Sequence, residues 1–157
     1  MNKYILYVDM DGVLVDFEKG YYDLTGKHTK QFVKGDAEFW APIDAEGPSF
    51  WANLPWMRDG QELWRYIKKY KPNILSSPSQ SQTSKVGKEA WLKMHLQNSY
   101  KKAYFYPRGQ KQLFAGENRI LIDDLANTID EWNAKSGIGI LHTSAASTIK
   151  ELKKLGL

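Results

Sequence analysis

Short apolar runs alternate with amphipathic segments along the chain, and each pattern predicts one kind of secondary structure. Runs rich in β-branched and aromatic residues, ended by Pro, Gly or acidic residues, are typical of buried strands. These predicted strands span residues 4–8, 73–77, 102–106, 119–123 and 137–142. In the intervening sequence, apolar residues recur at helical spacing. The predicted helices span residues 60–71, 84–96, 125–135 and 144–155.

The alternation of strands and helices predicts an α/β fold. Strands that are separated by helices form βαβ units, and such units build a mainly parallel sheet with helices on its faces. Residues 17–58 interrupt this rhythm, because they are rich in aromatic residues and glycine and contain Pro42, Pro48 and Pro55. We therefore predict one domain over residues 1–157, with residues 17–58 as a small, mostly helical or irregular cap inserted after the first strand. This stretch is called the insertion segment below.

Composition narrows the classes of function that the chain can have. Its 157 residues, 42% hydrophobic and 25% charged, are typical of one globular domain. There is no cysteine, which excludes disulfides, thiolate metal sites and a catalytic thiol. The apolar runs are far too short to span a membrane, and no signal-peptide pattern precedes the first strand, so we expect a cytoplasmic protein. The net charge of +4 suits an anionic substrate and would also suit nucleic acid.

Polar residues follow three of the predicted strands at their carboxyl ends. Asp9 and Asp11 end the first strand, Ser76 lies at the end of the second, and Asp123 and Asp124 end the fourth. Ligands of open α/β sheets bind at this edge. Each acidic pair alone could form a turn or cap a helix. Together, however, the four carboxylates would repel one another without a cation, and a hard cation such as Mg²⁺ suits oxygen ligands.

Five segments resemble the haloacid dehalogenase superfamily of phosphotransferases and, more narrowly, the 5'(3')-deoxyribonucleotidase family. Residues 9–17, which read DMDGVLVDF, resemble the first motif of the superfamily. Residues 74–78 resemble the second motif, Lys111 stands where the third-motif lysine is expected, and residues 120–125 resemble the fourth motif. Residues 50–56 are similar to the family segment that leads from the cap into the core. With this resemblance we expect a three-layer sandwich with strand order 3-2-1-4-5.

The resemblance implies a role for each catalytic candidate. Asp9 would be the nucleophile that forms an aspartyl-phosphate, and Asp11 would be the general acid and base. Ser76 and Lys111 would bind the phosphoryl oxygens and stabilise the charge that develops on them. Lys85 and Lys88 are the competing lysines; we prefer Lys111, because it lies in a loop after the third strand, and predict that Lys88 is peripheral.

The resemblance also implies a magnesium site. Mg²⁺ would be held by Asp9, by the backbone carbonyl of Asp11 and by Asp124. Asp123 is the second candidate ligand, because strand alternation allows only one residue of that pair to point directly at the metal.

The expected substrate is a deoxyribonucleoside monophosphate. Phe17 matches a family substrate contact, Trp40 is a candidate for stacking on the base, and Ser77 is a further substrate-binding candidate, while Trp51 and Trp56 are assigned to the core. A phosphatase acting on a sugar phosphate or a nucleic-acid end is an open alternative, partly because Gln80 replaces a basic residue found in animal members. A non-catalytic protein that binds single-stranded nucleic acid is a less favoured alternative, and oligomeric state is left open.

Overall fold

The computed structural model describes residues 3–33 and 35–157. The strands β1 to β5 are Ile5–Val8, Asn73–Ser76, Ala103–Phe105, Arg119–Asp123 and Ile138–Leu141. The helices α1 to α7 are Phe17–Thr25, Ala37–Glu46, Pro48–Ala52, Gly60–Ile67, Gln82–His95, Ala126–Ala134 and Ala145–Lys154. Short 3-10 helices span Thr29–Gln31, Lys68–Tyr70 and Lys111–Phe114. The predicted strands and helices are all present, with ends that differ from the prediction by a few residues.

The five strands form one parallel sheet in the order β3-β2-β1-β4-β5. This confirms the predicted α/β fold and its strand order. The central strand β1 pairs with β2 on one side and with β4 on the other, so that Val8 lies beside Ile74 and Ile122. Asp9, which follows Val8, is therefore placed at the middle of the carboxyl edge.

Side chains alternate between the two faces of the sheet, as the period of two in a β-strand requires. Leu6 and Val8 of β1 belong to the larger core cluster, whereas Tyr7 belongs to a second cluster on the opposite face. The larger cluster contains buried residues of α4, α5 and α7, and the second contains Ile129 and Trp132 of α6. Helices on both faces therefore make three layers around β1.

Aromatic rings of the insertion segment pack on one another and continue the larger core cluster. Tyr21 is fully buried, its ring stacks on Phe39 at 4.5 Å between centroids, and its hydroxyl donates to the Phe39 carbonyl. Phe32 packs edge-on against both rings. Aromatic pairs contribute roughly 0.5–1.5 kcal/mol each beyond the area that they bury. Part of the unusual aromatic content thus stabilises the segment itself.

The short helix α3 packs closely against α5 and joins the insertion segment to the sheet layers. Gly87 of α5 makes this approach possible, because an added Cβ would overlap the carbonyl oxygen of Pro48 and the Cβ of Trp51. Trp91, one turn further along α5, donates its indole N–H to the Leu54 carbonyl just beyond α3. The two helices are therefore held in one relative position.

Within the described residues, the structure contains no helix that is long and apolar enough to cross a membrane.

We expect Gly87→Ala to lower the free energy of unfolding by about 1–3 kcal/mol, because overpacking at the α3–α5 contact outweighs the better helix propensity of alanine. Val86→Ala, at an exposed position of the same helix, is the control. Chemical denaturation of both variants measures the difference. A Gly87→Ala protein as stable as the wild type would show that α3 can move away from α5 at little cost.

Candidate active site

The carboxyl edge of the sheet brings together residues from three strands. Asp9 and Asp11 follow β1, Ser76 ends β2, and Asp123 ends β4. Asp9, Asp11 and Asp124 line one side of a cavity of about 1120 Å³. The cavity extends from this edge to the insertion segment.

A tight turn after β1 places Asp9 and Asp11 at the mouth of this cavity. The backbone N–H groups of Val13, Leu14 and Val15 all donate to the carbonyl of Met10, at 2.9–3.1 Å. Gly12 has a φ of +84°, and an added Cβ there would overlap the carboxylate of Asp124. Glycine is therefore required for both the turn and the close approach of β1 to the residue after β4.

Three carboxylates converge closely enough to share a cation. Asp9, Asp123 and Asp124 each offer one oxygen, and these oxygens lie within 4.8 Å of one another. Burial raises the pKa of Asp9 to about 7; Lys111 opposes the shift, while Asp123, Asp11 and Asp124 add to it. Partial desolvation at the edge of the cavity, reinforced by the charge of Asp123, raises the pKa of Asp124 to about 6. A set of oxygen donors with this excess of negative charge fits a hard divalent cation.

The two neighbouring aspartates of the fourth motif differ in their contacts. Asp123 is fully buried, with Oδ2 accepting from Lys111 at 2.7 Å and Oδ1 accepting from the Leu125 N–H at 3.0 Å. Asp124 is exposed and lines the cavity. Asp124 is therefore the more accessible of the two carboxylates to an ion in the cavity.

Lys111 lies between two of these carboxylates. Its ammonium is 3.1 Å from Asp9 Oδ1 and 2.7 Å from Asp123 Oδ2, and the residue is almost fully buried. Burial lowers the pKa of Lys111, but the carboxylates of Asp9 and Asp123 raise it by more. The net effect is a raised pKa, so Lys111 carries its positive charge at this position. The residue itself follows β3 in the chain.

Lys88 is not peripheral, and that prediction was wrong. The residue is 1% exposed, and its ammonium donates to Asp11 Oδ2 at 3.0 Å, to Ser76 Oγ at 2.9 Å and to the Ser77 carbonyl at 2.9 Å. A signal was present in the sequence, because Lys88 lies three residues before Trp91 and thus on the same buried helix face. A lysine on the apolar face of a helix indicates a buried acidic partner.

The insertion segment supplies one wall of the cavity. Phe17 and Trp40, both predicted to contact the substrate, line it together with Phe39. Trp51 is buried, as its assignment to the core requires, yet it also contributes to the wall. Trp56 is partly buried and packs against Trp91 at 4.8 Å between ring centroids.

Residues that come directly after β2 also line the cavity. Ser77 lines the cavity, and its Oγ is buried without a hydrogen-bond partner among the described residues. Gln80 and Arg108 also line the cavity. Arg108 lies in the loop after β3 and adds a positively charged side chain to the lining. An unpartnered buried hydroxyl is costly, which indicates that a ligand or water completes the bonding of Ser77.

In sequence comparisons, no family model and no curated protein matches the chain. Solved structures do match. A hydrolase from Streptococcus pneumoniae has a TM-score of 0.60 at 12% identity, with 98% of this chain and 100% of that chain covered. A HAD family enzyme from Bacteroides thetaiotaomicron, in a magnesium complex, has a TM-score of 0.58 at 14% identity, with the same coverage. A HAD family hydrolase from Deinococcus radiodurans, with bound phosphate and sodium, has a TM-score of 0.55 at 13% identity, with 95% and 89% covered. The chain therefore has a HAD-like fold.

The raised carboxyl pKa values predict how the stability of the metal-free protein depends on pH. A carboxyl whose pKa is higher in the folded than in the unfolded state binds protons more tightly when folded. Asp9 and Asp124 should therefore make folding less favourable as the pH rises from about 4 to about 7, the range between their ordinary and their raised values. Asp9→Asn, which removes the most buried of these charges, should flatten this decline. Thermal unfolding in a chelator across this pH range measures the stability of both proteins. An equal decline of stability with pH in the two proteins would contradict the raised pKa assigned to Asp9.

Proposed function

We propose that the protein is a Mg²⁺-dependent phosphomonoesterase that acts through an aspartyl-phosphate on Asp9, with deoxyribonucleoside monophosphates as its substrates. The observation that carries this proposal is the position of Asp9. Its carboxylate is buried at the carboxyl edge, is contacted by Lys111, and lies beside Asp123 and Asp124 at the base of a cavity. This arrangement combines a fixed nucleophile with a cation site, as phosphoryl transfer requires.

Structures with the same fold support the choice of cation and substrate group. One structure of the Bacteroides thetaiotaomicron enzyme is a complex with magnesium and inorganic phosphate, with a TM-score of 0.55 at 14% identity. Mg²⁺ in this chain would be held by Asp9, Asp124 and the Asp11 carbonyl, with Asp123 beside them. When bound, the ion would offset the negative charge of the nucleophile and of the phosphate.

The contacts of Asp9 fix it for attack. Oδ1 accepts a hydrogen bond from the Met10 N–H at 2.8 Å and contacts the Lys111 ammonium at 3.1 Å. These two donors hold the carboxylate in one orientation, so that Oδ2 can form the new bond to phosphorus while the bond from phosphorus to the leaving oxygen breaks. Asp11 donates a proton to that oxygen, and the alcohol leaves.

Hydrolysis of the aspartyl-phosphate restores the enzyme. Asp11, now a carboxylate, takes a proton from water as the water oxygen attacks phosphorus. The bond from phosphorus to Asp9 breaks, inorganic phosphate is released, and Asp9 is again a carboxylate. Phosphoryl oxygens would be bound by Lys111, whose two protein contacts leave one N–H free, and by the unpartnered hydroxyl of Ser77. Ser76, the other predicted phosphate ligand, is fully buried, accepts from Lys88 and is not among the residues that line the cavity.

The wall of the cavity supports a nucleotide as the substrate. Phe17, Phe39 and Trp40 provide flat apolar surface in the wall of the cavity. A base can stack on such rings, whereas a sugar phosphate would leave them in contact with water. Asp16, Glu18 and Asp44 also line the cavity, and their charge disfavours the further phosphates of a nucleic-acid end. The same charge argues against a protein that only binds nucleic acid.

The reaction is tested by measuring phosphate release from deoxyribonucleoside monophosphates, ribonucleotides, sugar phosphates and 5'-phosphorylated oligonucleotides, with Mg²⁺ and with excess chelator. We expect activity only with Mg²⁺, and the highest kcat/KM with the deoxyribonucleotides. Asp9→Asn and Asp11→Asn should each lower turnover by at least about a hundredfold, which corresponds to about 2.7 kcal/mol in the barrier. Asp9→Asn with more than a hundredth of the activity would exclude the covalent intermediate, and full activity in chelator would exclude the metal.

Substrate choice is tested at the aromatic wall. Phe17→Ala or Trp40→Ala should raise KM for a deoxyribonucleotide about tenfold, because stacking of a base on one ring contributes roughly 1–3 kcal/mol. KM for a small alkyl phosphate should change little. Tyr22→Ala is the control, since Tyr22 is an exposed ring of the same segment outside the cavity. Equal losses on both substrates would show that these rings support the fold and do not contact the base.

A further inference from the structure

The ammonium of Lys88 has no donor left for a substrate. An ammonium carries three N–H donors, and Lys88 uses them on Asp11 Oδ2, Ser76 Oγ and the Ser77 carbonyl. The ring of Trp51 covers the same ammonium, with its centroid 5.3 Å from Nζ. Lys88 is not among the residues that line the cavity. It therefore approaches the catalytic edge from the protein side, with its bonding already satisfied.

The two oxygens of Asp11 differ in a way that follows from this contact. Oδ2 is held by Lys88 at 3.0 Å, whereas Oδ1 is buried without a hydrogen-bond partner among the described residues. Asp11 itself lines the cavity. Oδ1 is thus shielded, and Oδ2, the oxygen that Lys88 holds, is the one that can exchange a proton with substrate or water.

We propose that Lys88 is a positioning residue for the acid–base carboxylate: by holding Oδ2 it fixes Asp11 in the orientation from which this carboxylate exchanges a proton with the leaving oxygen. The proposal rests on the proposed phosphomonoesterase reaction and assigns different roles to the two buried lysines. Lys111 lines the cavity and keeps one N–H for the phosphoryl group, while Lys88 contacts no substrate and acts through Asp11.

The position of Lys88 depends on the contact between α3 and α5. Gly87, the preceding residue, lets α3 approach, and Trp51 of α3 then covers the Lys88 ammonium. The lysine is enclosed on its apolar side by the insertion segment and on its polar side by the ends of β1 and β2. It is therefore rigidly placed, as the positioning of a proton donor requires.

Loss of a positioned general acid has a characteristic kinetic effect. A nucleotide releases an alkoxide-like oxygen, which needs a proton as the bond to phosphorus breaks, whereas p-nitrophenyl phosphate releases an acidic phenol that needs little assistance. The value of kcat/KM reports the steps up to formation of the aspartyl-phosphate and does not include its hydrolysis, provided that step is irreversible. The ratio of kcat/KM for the two substrates thus isolates the proton-donating role of Asp11.

The experiment compares Lys88→Met with the wild type in Mg²⁺. Methionine is close to lysine in length and lacks the charge and the donors. We expect kcat/KM for a deoxyribonucleotide to fall about a hundredfold, within the range for loss of general acid catalysis, and kcat/KM for p-nitrophenyl phosphate to fall less than about fivefold. Inhibition by inorganic phosphate should be unchanged. In an Asp11→Asn background, Lys88→Met should add little further loss, because the group that it positions is already absent.

Controls separate this role from others. Lys85→Met, one turn earlier on α5 and exposed, should leave both substrates unaffected. Lys88→Gln can still donate to Asp11 and should recover part of the nucleotide activity; it also serves if the methionine variant does not fold, as judged by thermal unfolding. Equal losses on both substrates, or weaker inhibition by phosphate, would overturn the proposal in favour of direct phosphate binding. A wild-type protein without phosphatase activity would instead overturn the proposed function itself.

Discussion

Repulsion among four aspartates at one sheet edge is the constraint on which the rest of the site depends. Asp9 and Asp123 are almost fully buried there, and Asp11 and Asp124 lie beside them. Two buried ammonium groups offset part of this charge, since Lys111 contacts Asp9 and Asp123 while Lys88 contacts Asp11. Desolvation, with the neighbouring carboxylates adding to it, raises the pKa of Asp9 and Asp124 even though Lys111 opposes the shift. The remaining negative charge is what a divalent cation would neutralise.

The two lysines reach the edge from different parts of the fold, and this connects the site with packing. Lys111 arrives through the loop after β3, at the start of a 3-10 helix. Lys88 extends from α5 inside the core. Helix α5 must lie close to α3, because only then does the Trp51 ring cover the ammonium. Burying either lysine without its carboxylates would be costly. The site therefore depends on the same contacts that hold the insertion segment against the sheet.

Aromatic residues of the insertion segment serve two purposes that the sequence does not separate. Tyr21 and Phe32 form the interior of the segment, whereas Trp40 lines the cavity. Phe17 does both, because it packs against Trp51 at 5.5 Å between centroids and also lines the cavity. The same set of aromatic side chains therefore both stabilises the insertion segment and forms part of the cavity wall.

The sequence by itself determined the sheet and the location of the acids. Apolar runs such as residues 119–123 predict buried strands, and parallel strands end at one edge, so Asp9, Ser76 and Asp123 had to lie near one another. The resemblance of the sequence motifs singled out Lys111, and in the structure its ammonium contacts Asp9. These features depend on patterns between neighbours along the chain and on the geometry of a parallel sheet.

Only the tertiary structure decided which long side chains meet. Lys88 and Asp11 are 77 residues apart, and their contact exists only after α5 has docked on the sheet and on α3. The difference in accessibility between Asp123 and Asp124 likewise depends on which carboxylate is occupied by Lys111 and by the Leu125 N–H. A lysine has a flexible stem of four carbons, so its position in the sequence does not fix where its charge lies. That location is set by the packing of elements that are distant in the chain.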